Sequence, residues 1–174
     1  MAFKMLQVKV DTHLVRGDSV RYWNGIWDKD RFIIVDDTQA SDDALKQTWR
    51  IVTPIETRLS VLTLEKAIQY LSDPEHYGNE KIVLFCNNIS NVARMVEAGV
   101  NIDCPVNVCS LEANGPKKVR IGRIGLSQQD VDDIKMMHDK GLKIITQEFP
   151  EPLQQEEDFY QKMIEAENNA GEKK

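Results

Sequence analysis

Three histidines and three cysteines are all the chain offers among the usual metal ligands and soft nucleophiles. Cys86, Cys104 and Cys109 follow no metal-binding spacing and make no even-numbered disulfide framework, so reduced thiols in a cytoplasm are expected. There is no cluster that demands a metal, no Gly-rich dinucleotide fingerprint and no nucleophile elbow. No cofactor is therefore expected, and small-molecule enzymes built on those motifs are disfavoured. Positive charge is also scarce. The formal net charge is -6 at pH 7, which argues against a nucleic-acid partner, because phosphate backbones select clustered Lys and Arg. No apolar run reaches the roughly 20 residues of a membrane span. The opening "MAFKMLQVKV" is too short and too polar for a signal peptide. Linkers, internal repeats and low-complexity tracts are missing too.

What is present fits one packed domain. The 174 residues are 41% hydrophobic, and a chain of this length buries about 70% of the surface it exposes unfolded. Short Val/Ile/Phe-rich runs bounded by Gly, Pro, Asn or Asp read as strands: 3–10, 32–36, 58–63, 81–86, 105–109, 119–124 and 142–149. Between them lie helical faces. Val20, Trp23, Ile26 and Trp27 share one. Leu45, Thr48, Trp49 and Val52 share another, stopped by Pro54. Leu64, Ala67, Ile68 and Leu71 form a third, and Val92, Met95 and Val96 a fourth that closes at Gly99. Ser127 and Asp130 have capping-box spacing at the head of a helix ending at Gly141. Residues 1–150 read as an α/β domain, and 151–174 as its acidic C-terminal helix, near 154–167, with a frayed tail "NNAGEKK". Alternating strands and helices predict an α/β fold with a mostly parallel, doubly wound open sheet of about six to seven strands, helices on both faces.

In such sheets ligands bind beyond the carboxyl ends of the strands. That rule nominates Asp11–Ser19, Asp36–Asp37, Asn87–Asn88 and Cys109–Lys118. The first is the most chemical. His13 can attack phosphorus through a neutral imidazole nitrogen. Arg16 cannot, because its guanidinium has no free lone pair, but it can clamp phosphate oxygens. Gly17 admits a close backbone approach, and Asp18 and Ser19 are candidate N-caps of the helix bearing Trp23. His76 and His138 read as structural, the first at the wrong end of the sheet and the second in the last turn of a helix. A reactive Cys109, activated by Lys117 and Lys118, is weighed against a buried and inert one.

These residues resemble the IIB component of the mannose/sorbose family of the bacterial sugar phosphotransferase system (PTS). That family carries a strand, then Asp-x-Arg-Leu-(aliphatic)-His-Gly-Gln, then a helix with a Trp. Asp11, Leu14, Gly17 and Trp23 fall on those positions. The segments "RFIIVDDTQASDD", "DPEHYGNEKIVLFCNN", "MVEAGVNI", "VNV" and "SQQDVDDIKMMHDKGLKI" follow in family order, so the likeness runs to about Pro150. The resemblance implies a phosphotransferase that takes phosphate from a IIA phosphohistidine. It would pass the group to a sugar at the membrane transporter subunits (IIC/IID), working in the cytoplasm at the inner face of the plasma membrane. A homo-oligomer is left open, and the sugar is not encoded here.

The departures fall at the chemistry. Arg16 occupies the family's phosphohistidine position, and His13 the family's arginine position. Asp18 stands where the family has Gln, and Cys109-Ser110 where it has Gly-Gly. An active carrier would use His13 as acceptor, Arg16 as clamp and Asp11 to orient the imidazole. The phosphate contacts would come from Gly17, Asp18, Ser19, Asp37, Asn87, Cys109 and Ser110. The alternative is a non-catalytic regulatory or scaffolding relative. Two geometries are distinguished: a helically coiled loop brings His13 and Arg16 to about 5–6 Å, and an extended one parts them by about 10 Å. The carrier reading expects the two side chains to converge on one pocket, and divergent side chains count against it, because phosphoryl transfer tolerates misplacement poorly.

Overall fold

The computed structural model describes residues 2–113 and 115–172. Seven strands make one sheet in the order β3-β2-β4-β1-β5-β8-β9. In chain order they are β1 (Lys4–Asp11), β2 (Arg31–Val35), β3 (Arg58–Leu62), β4 (Lys81–Cys86), β5 (Val106–Ser110), β8 (Ile144–Thr146) and β9 (Glu157–Asp158). All neighbours pair in parallel except β8 and β9. A separate hairpin joins β6 (Val119–Ile121) to β7 (Ile124–Leu126).

The central strands are buried on both faces, as parallel strands under helices must be. Phe32 and Ile34 of β2, with Val83 and Phe85 of β4, point to one side. They meet Val20 and Trp23 of helix α1 (Gly17–Asn24), together with Trp27 beyond its end. Ile33, Val35, Ile82, Leu84 and Cys86 point to the other side. There they meet α4 (Leu64–Leu71), α5 (Ile89–Glu97), α6 (Gln128–Asp139) and α7 (Phe159–Glu172). Each fully buried Phe, Ile or Leu contributes about 1.5–3 kcal/mol, so these two faces dominate the stability. The remaining helices, α2 (Asp37–Ser41) and α3 (Asp43–Val52), lie between β2 and β3.

The predicted fold class holds, with helices on both faces and seven strands in the sheet. Several elements differ from expectation. The run 119–124 is the first strand and turn of a hairpin, because Gly122 (φ 55) and Arg123 reverse the chain. The last strand is shorter than 142–149: the Gln147 amide donates to Asn107 Oδ1 at 2.9 Å, and the amides of Glu148 and Phe149 donate to Gln154 Oε1 at 3.0 and 3.1 Å. With those amides held by side chains, the ladder stops. The C-terminal helix starts at Phe159, where Asp158 accepts from the Gln161 amide at 3.0 Å, and it continues to Glu172. Most of the expected frayed tail is therefore helical, and Lys173 and Lys174 lie outside the described residues. The capping box at Ser127 and Asp130 forms as read. Gly99 and Gly141 follow their helices at φ 92 and φ 89, where an L side chain would be strained. No helix among the described residues is long and apolar enough to cross a membrane.

Candidate functional site at the carboxyl ends of β1 and β5

The chain leaves β1 towards one edge of the sheet and leaves β5 towards the other. Their carboxyl ends therefore open a crevice between them, the place such folds reserve for ligands. The loop after β1 is built by local hydrogen bonds. The Leu14 amide donates to Asp11 O at 2.8 Å, and the His13 amide to Asp11 Oδ1 at 2.8 Å. Thr12 ties the turn to β5, its amide donating to Ser110 O at 2.9 Å and its hydroxyl accepting from the Glu112 amide at 3.1 Å. Leu14 then takes φ 54, a conformation that costs a non-glycine residue of order 1–3 kcal/mol. Its side chain is buried with that of Val15, so packing holds the strained backbone in place. Arg16 is extended (φ -89, ψ 112) and is the N-cap of α1, with no side-chain cap bond. Asp18 and Ser19 lie inside the first turn and are not caps. The reason is that the helix begins at Gly17, two residues earlier than a capping Asp18 requires and three earlier than a capping Ser19 requires.

His13 and Arg16 consequently part, which counts against the carrier reading's expectation that they converge on one pocket. The turn and the extended Arg16 are not a helical coil. His13 is exposed, with its backbone pinned and its ring in solvent. Arg16 turns inward: Nη1 donates to Glu148 Oε1, and Nε lies 3.7 Å from Asp11 Oδ2. Asp11 thus orients the His13 backbone, and its second oxygen is buried without a hydrogen-bond partner among the described residues. The other oxygen of Glu148 takes Arg123 Nη2 from the β6–β7 hairpin tip. One carboxylate bridges two guanidinium groups, and this assembly, not a His13–Arg16 pocket, fills the crevice mouth.

A polar row runs beneath α1 on the same face of the sheet. Gln7, Lys9 and Asp11 of β1 lie beside Asn107 and Cys109 of β5, all buried. Lys9 is wholly enclosed and donates to Ser19 Oγ at 2.7 Å. Burial pushes its pKa down, opposed by nearby Cys109, Asp11 and Glu148. The Cys109 thiol donates to Asn107 Oδ1 at 3.3 Å, and burial pushes its pKa up to about 12. The cation that works against that shift most strongly is Lys9, where the sequence pointed to Lys117 and Lys118.

The remaining expected phosphate contacts are spread out. Gly17 opens α1 with free space where a Cβ would stand, and the Asp18 carboxylate accepts from the Ser19 amide at 2.8 Å. Ser110 ends β5 beside the turn, where its carbonyl holds Thr12. Asp37 and Asn87 follow β2 and β4, and their bonds knit those loops together. Asp37 Oδ1 accepts from the Leu64 amide at 2.8 Å, and Asn87 Nδ2 donates to Asp36 Oδ2 at 2.9 Å. Sequence reasoning missed Lys9, Arg123 and Glu148. A lysine flanked by valines inside a central strand was a usable signal for the first. Gly122-Arg123 between two aliphatic runs was a turn signal for the second. Nothing local marks Glu148, whose partners are 132 and 25 residues away.

A crevice of this kind is general to open α/β sheets and names no activity by itself, and comparison with known proteins places the chain in a family. The model of the PTS system sorbose subfamily IIB component matches residues 5–174, and the chain belongs to that family. The PTS system fructose-specific EIIB component of Bacillus subtilis (strain 168) is 26% identical over 153 residues, 88% of this chain and 91% of that protein. The N-acetylgalactosamine-specific phosphotransferase enzyme IIB component 1 of Escherichia coli (strain K12) is 26% identical over 149 residues, 84% of this chain and 91% of that one. The fold matches the crystal structure of the IIB domain of the sorbose permease from Klebsiella pneumoniae with a TM-score of 0.82 at 22% identity, covering 93% of this chain and 97% of that one. This chain is accordingly a PTS IIB-type sugar phosphotransferase component.

Proposed function

We propose that this IIB component carries a phosphoryl group on His13. The observation that carries the reading is the contrast between the three histidines. His76 stacks on Tyr70 with ring centroids 4.0 Å apart, and His138 stacks on Tyr160 at 3.5 Å. All three histidines are exposed, but His13 is the one that stands beyond the carboxyl end of β1, on a turn whose backbone is fixed by Asp11 and Thr12. An exposed imidazole suits a protein that both receives and delivers its group by docking partners. The donor is a IIA phosphohistidine. The imidazole lone pair forms the new N–P bond as the donor's N–P bond breaks, and the proton on the other His13 ring nitrogen is given up, through solvent, as the donor ring takes one up. A sugar hydroxyl at the IIC/IID subunits then attacks phosphorus, loses its proton, and releases neutral His13. Catalysis of this type is positioning and charge stabilisation. The work takes place at the cytoplasmic side of the transporter.

A second reading is favoured by one observation. Arg16, which the sequence resemblance puts at the family's acceptor position, is tied to Glu148 and Asp11. A fixed ion pair there suits a non-catalytic docking or regulatory subunit. The two separate in one experiment: incubation with phosphorylated IIA protein, followed by intact mass. Acid-labile label that disappears in His13→Ala supports the carrier. A wild-type protein that stays unlabelled by a cognate donor refutes it and leaves the docking subunit.

A further inference from the structure

The Glu148 bridge has the form of an occupied anion site. Two guanidinium groups, Arg16 from the head of α1 and Arg123 from the hairpin tip, hold the two oxygens of one carboxylate. The Arg16 side chain makes no cap bond to α1, the Asp18 carboxylate takes the Ser19 amide and leaves the Gly17 and Asp18 amides without a side-chain partner among the described residues, and no side chain would be met above Gly17. Uncapped helix amides and converging arginines are the groups that bind phosphoryl oxygens. A carboxylate offers them two oxygens and one negative charge. A phosphoryl group offers three oxygens and close to two charges.

We infer that Glu148 is an internal competitor for a phosphoryl group, held between Arg16 and Arg123 until that group displaces it. The inference rests on the reading that the chain handles phosphate. It adds that the protein's own carboxylate keeps the crevice closed to free phosphate, so that only a group delivered at high local concentration by a docked partner opens it. The Glu148 side chain can exchange partners without moving its backbone, which is held elsewhere. Trp23 Nε1 donates to the Glu148 carbonyl at 2.8 Å, and the Glu148 amide donates to Gln154 Oε1 at 3.0 Å. Asp11 remains beside Arg16 at 3.7 Å when the carboxylate leaves, so the guanidinium keeps its direction.

The test is a calorimetric titration of the unphosphorylated protein with inorganic phosphate, with no IIA present. Wild type is expected to bind weakly. Glu148→Gln is expected to bind at least about tenfold more tightly, since it frees two charge-assisted donors. The gain should vanish in the double variants Glu148→Gln/Arg123→Ala and Glu148→Gln/Arg16→Met. Glu148→Asp, too short to bridge both groups, should fall between and serves if the Gln variant does not fold. Equal affinity in wild type and the folded Glu148 variants overturns the inference, as does a gain that survives in either double variant. A failed His13 labelling with a successful titration would sink the carrier reading alone, and the reverse pattern would sink only the competitor.

Discussion

Lys9 offers the sharpest physical test of the polar row under α1. None of its surface is exposed. Its ammonium carries three donors, and among the described residues it makes one hydrogen bond, to Ser19 Oγ at 2.7 Å. Burial lowers its pKa from the ordinary 10.5, against the pull of Cys109, Asp11 and Glu148. The Cys109 pull needs a thiolate, and that thiol is pushed up to about 12. Below that pH only the two carboxylates help the ammonium. The folded protein therefore holds this proton less tightly than the unfolded chain. Between the lowered pKa and 10.5 the unfolded chain binds more protons, so this group's contribution makes stability rise with pH through that interval. Below the interval the penalty is fully in place. Lys9→Met keeps the volume and removes the charge. Replacing buried ions by apolar groups gains about 1–4 kcal/mol, and losing a charged hydrogen bond costs about 1.5–3 kcal/mol. Asp11 is not stranded, since Arg16 and the His13 amide stay beside it. The variant should lie within about 2 kcal/mol of wild type at pH 7, and its stability relative to wild type should fall as pH approaches 10.5. Urea unfolding of both proteins at several pH values measures this. A variant 3 kcal/mol or more less stable at pH 7, or a difference independent of pH, would refute the reasoning.

Other consequences are simpler to measure. Cys109, with its pKa pushed up to about 12 by burial, should hold roughly one thiolate in ten thousand at pH 8, so iodoacetamide should modify it far faster in urea than in the native protein. Trp23→Phe removes the donor to the Glu148 carbonyl and part of the stack on Trp27, whose ring lies 5.3 Å away. It should cost about 1–3 kcal/mol in urea unfolding, and a loss below about 0.5 kcal/mol would mean that water replaces the bond. Ser127→Ala breaks the capping box at the head of α6 and should cost about 0.5–2 kcal/mol.

The parts of the fold legible in the sequence are those where local chemistry and tertiary packing agree. The runs in β2 and β4 are apolar on both faces, which only a strand between two helix layers needs. Ser127 with Asp130, and Gly99 and Gly141, mark helix ends through bonds made within a few residues. The errors arose where distant groups decide. Asn107 and Gln154 end β8 by capturing amides that a strand would otherwise use. The start of α1 is set by burial of Leu14 and Val15, which forces Arg16 into the cap position ahead of Asp18 and Ser19. At the site, the loop bearing His13 and Arg16 was visible because its residues are contiguous. The Arg16–Glu148–Arg123 bridge was not, because it joins three segments that only the closed sheet brings together.

The central claim is that the phosphoryl group travels on His13. The direct measurement is site mapping of the phosphoryl group after transfer from a IIA donor, by fragmentation of peptides kept at neutral to alkaline pH. The structure predicts the group on the imidazole of the peptide containing Asp11–Arg16, in stoichiometric yield. Finding it on another residue, or finding none while the donor remains charged, would contradict the proposal.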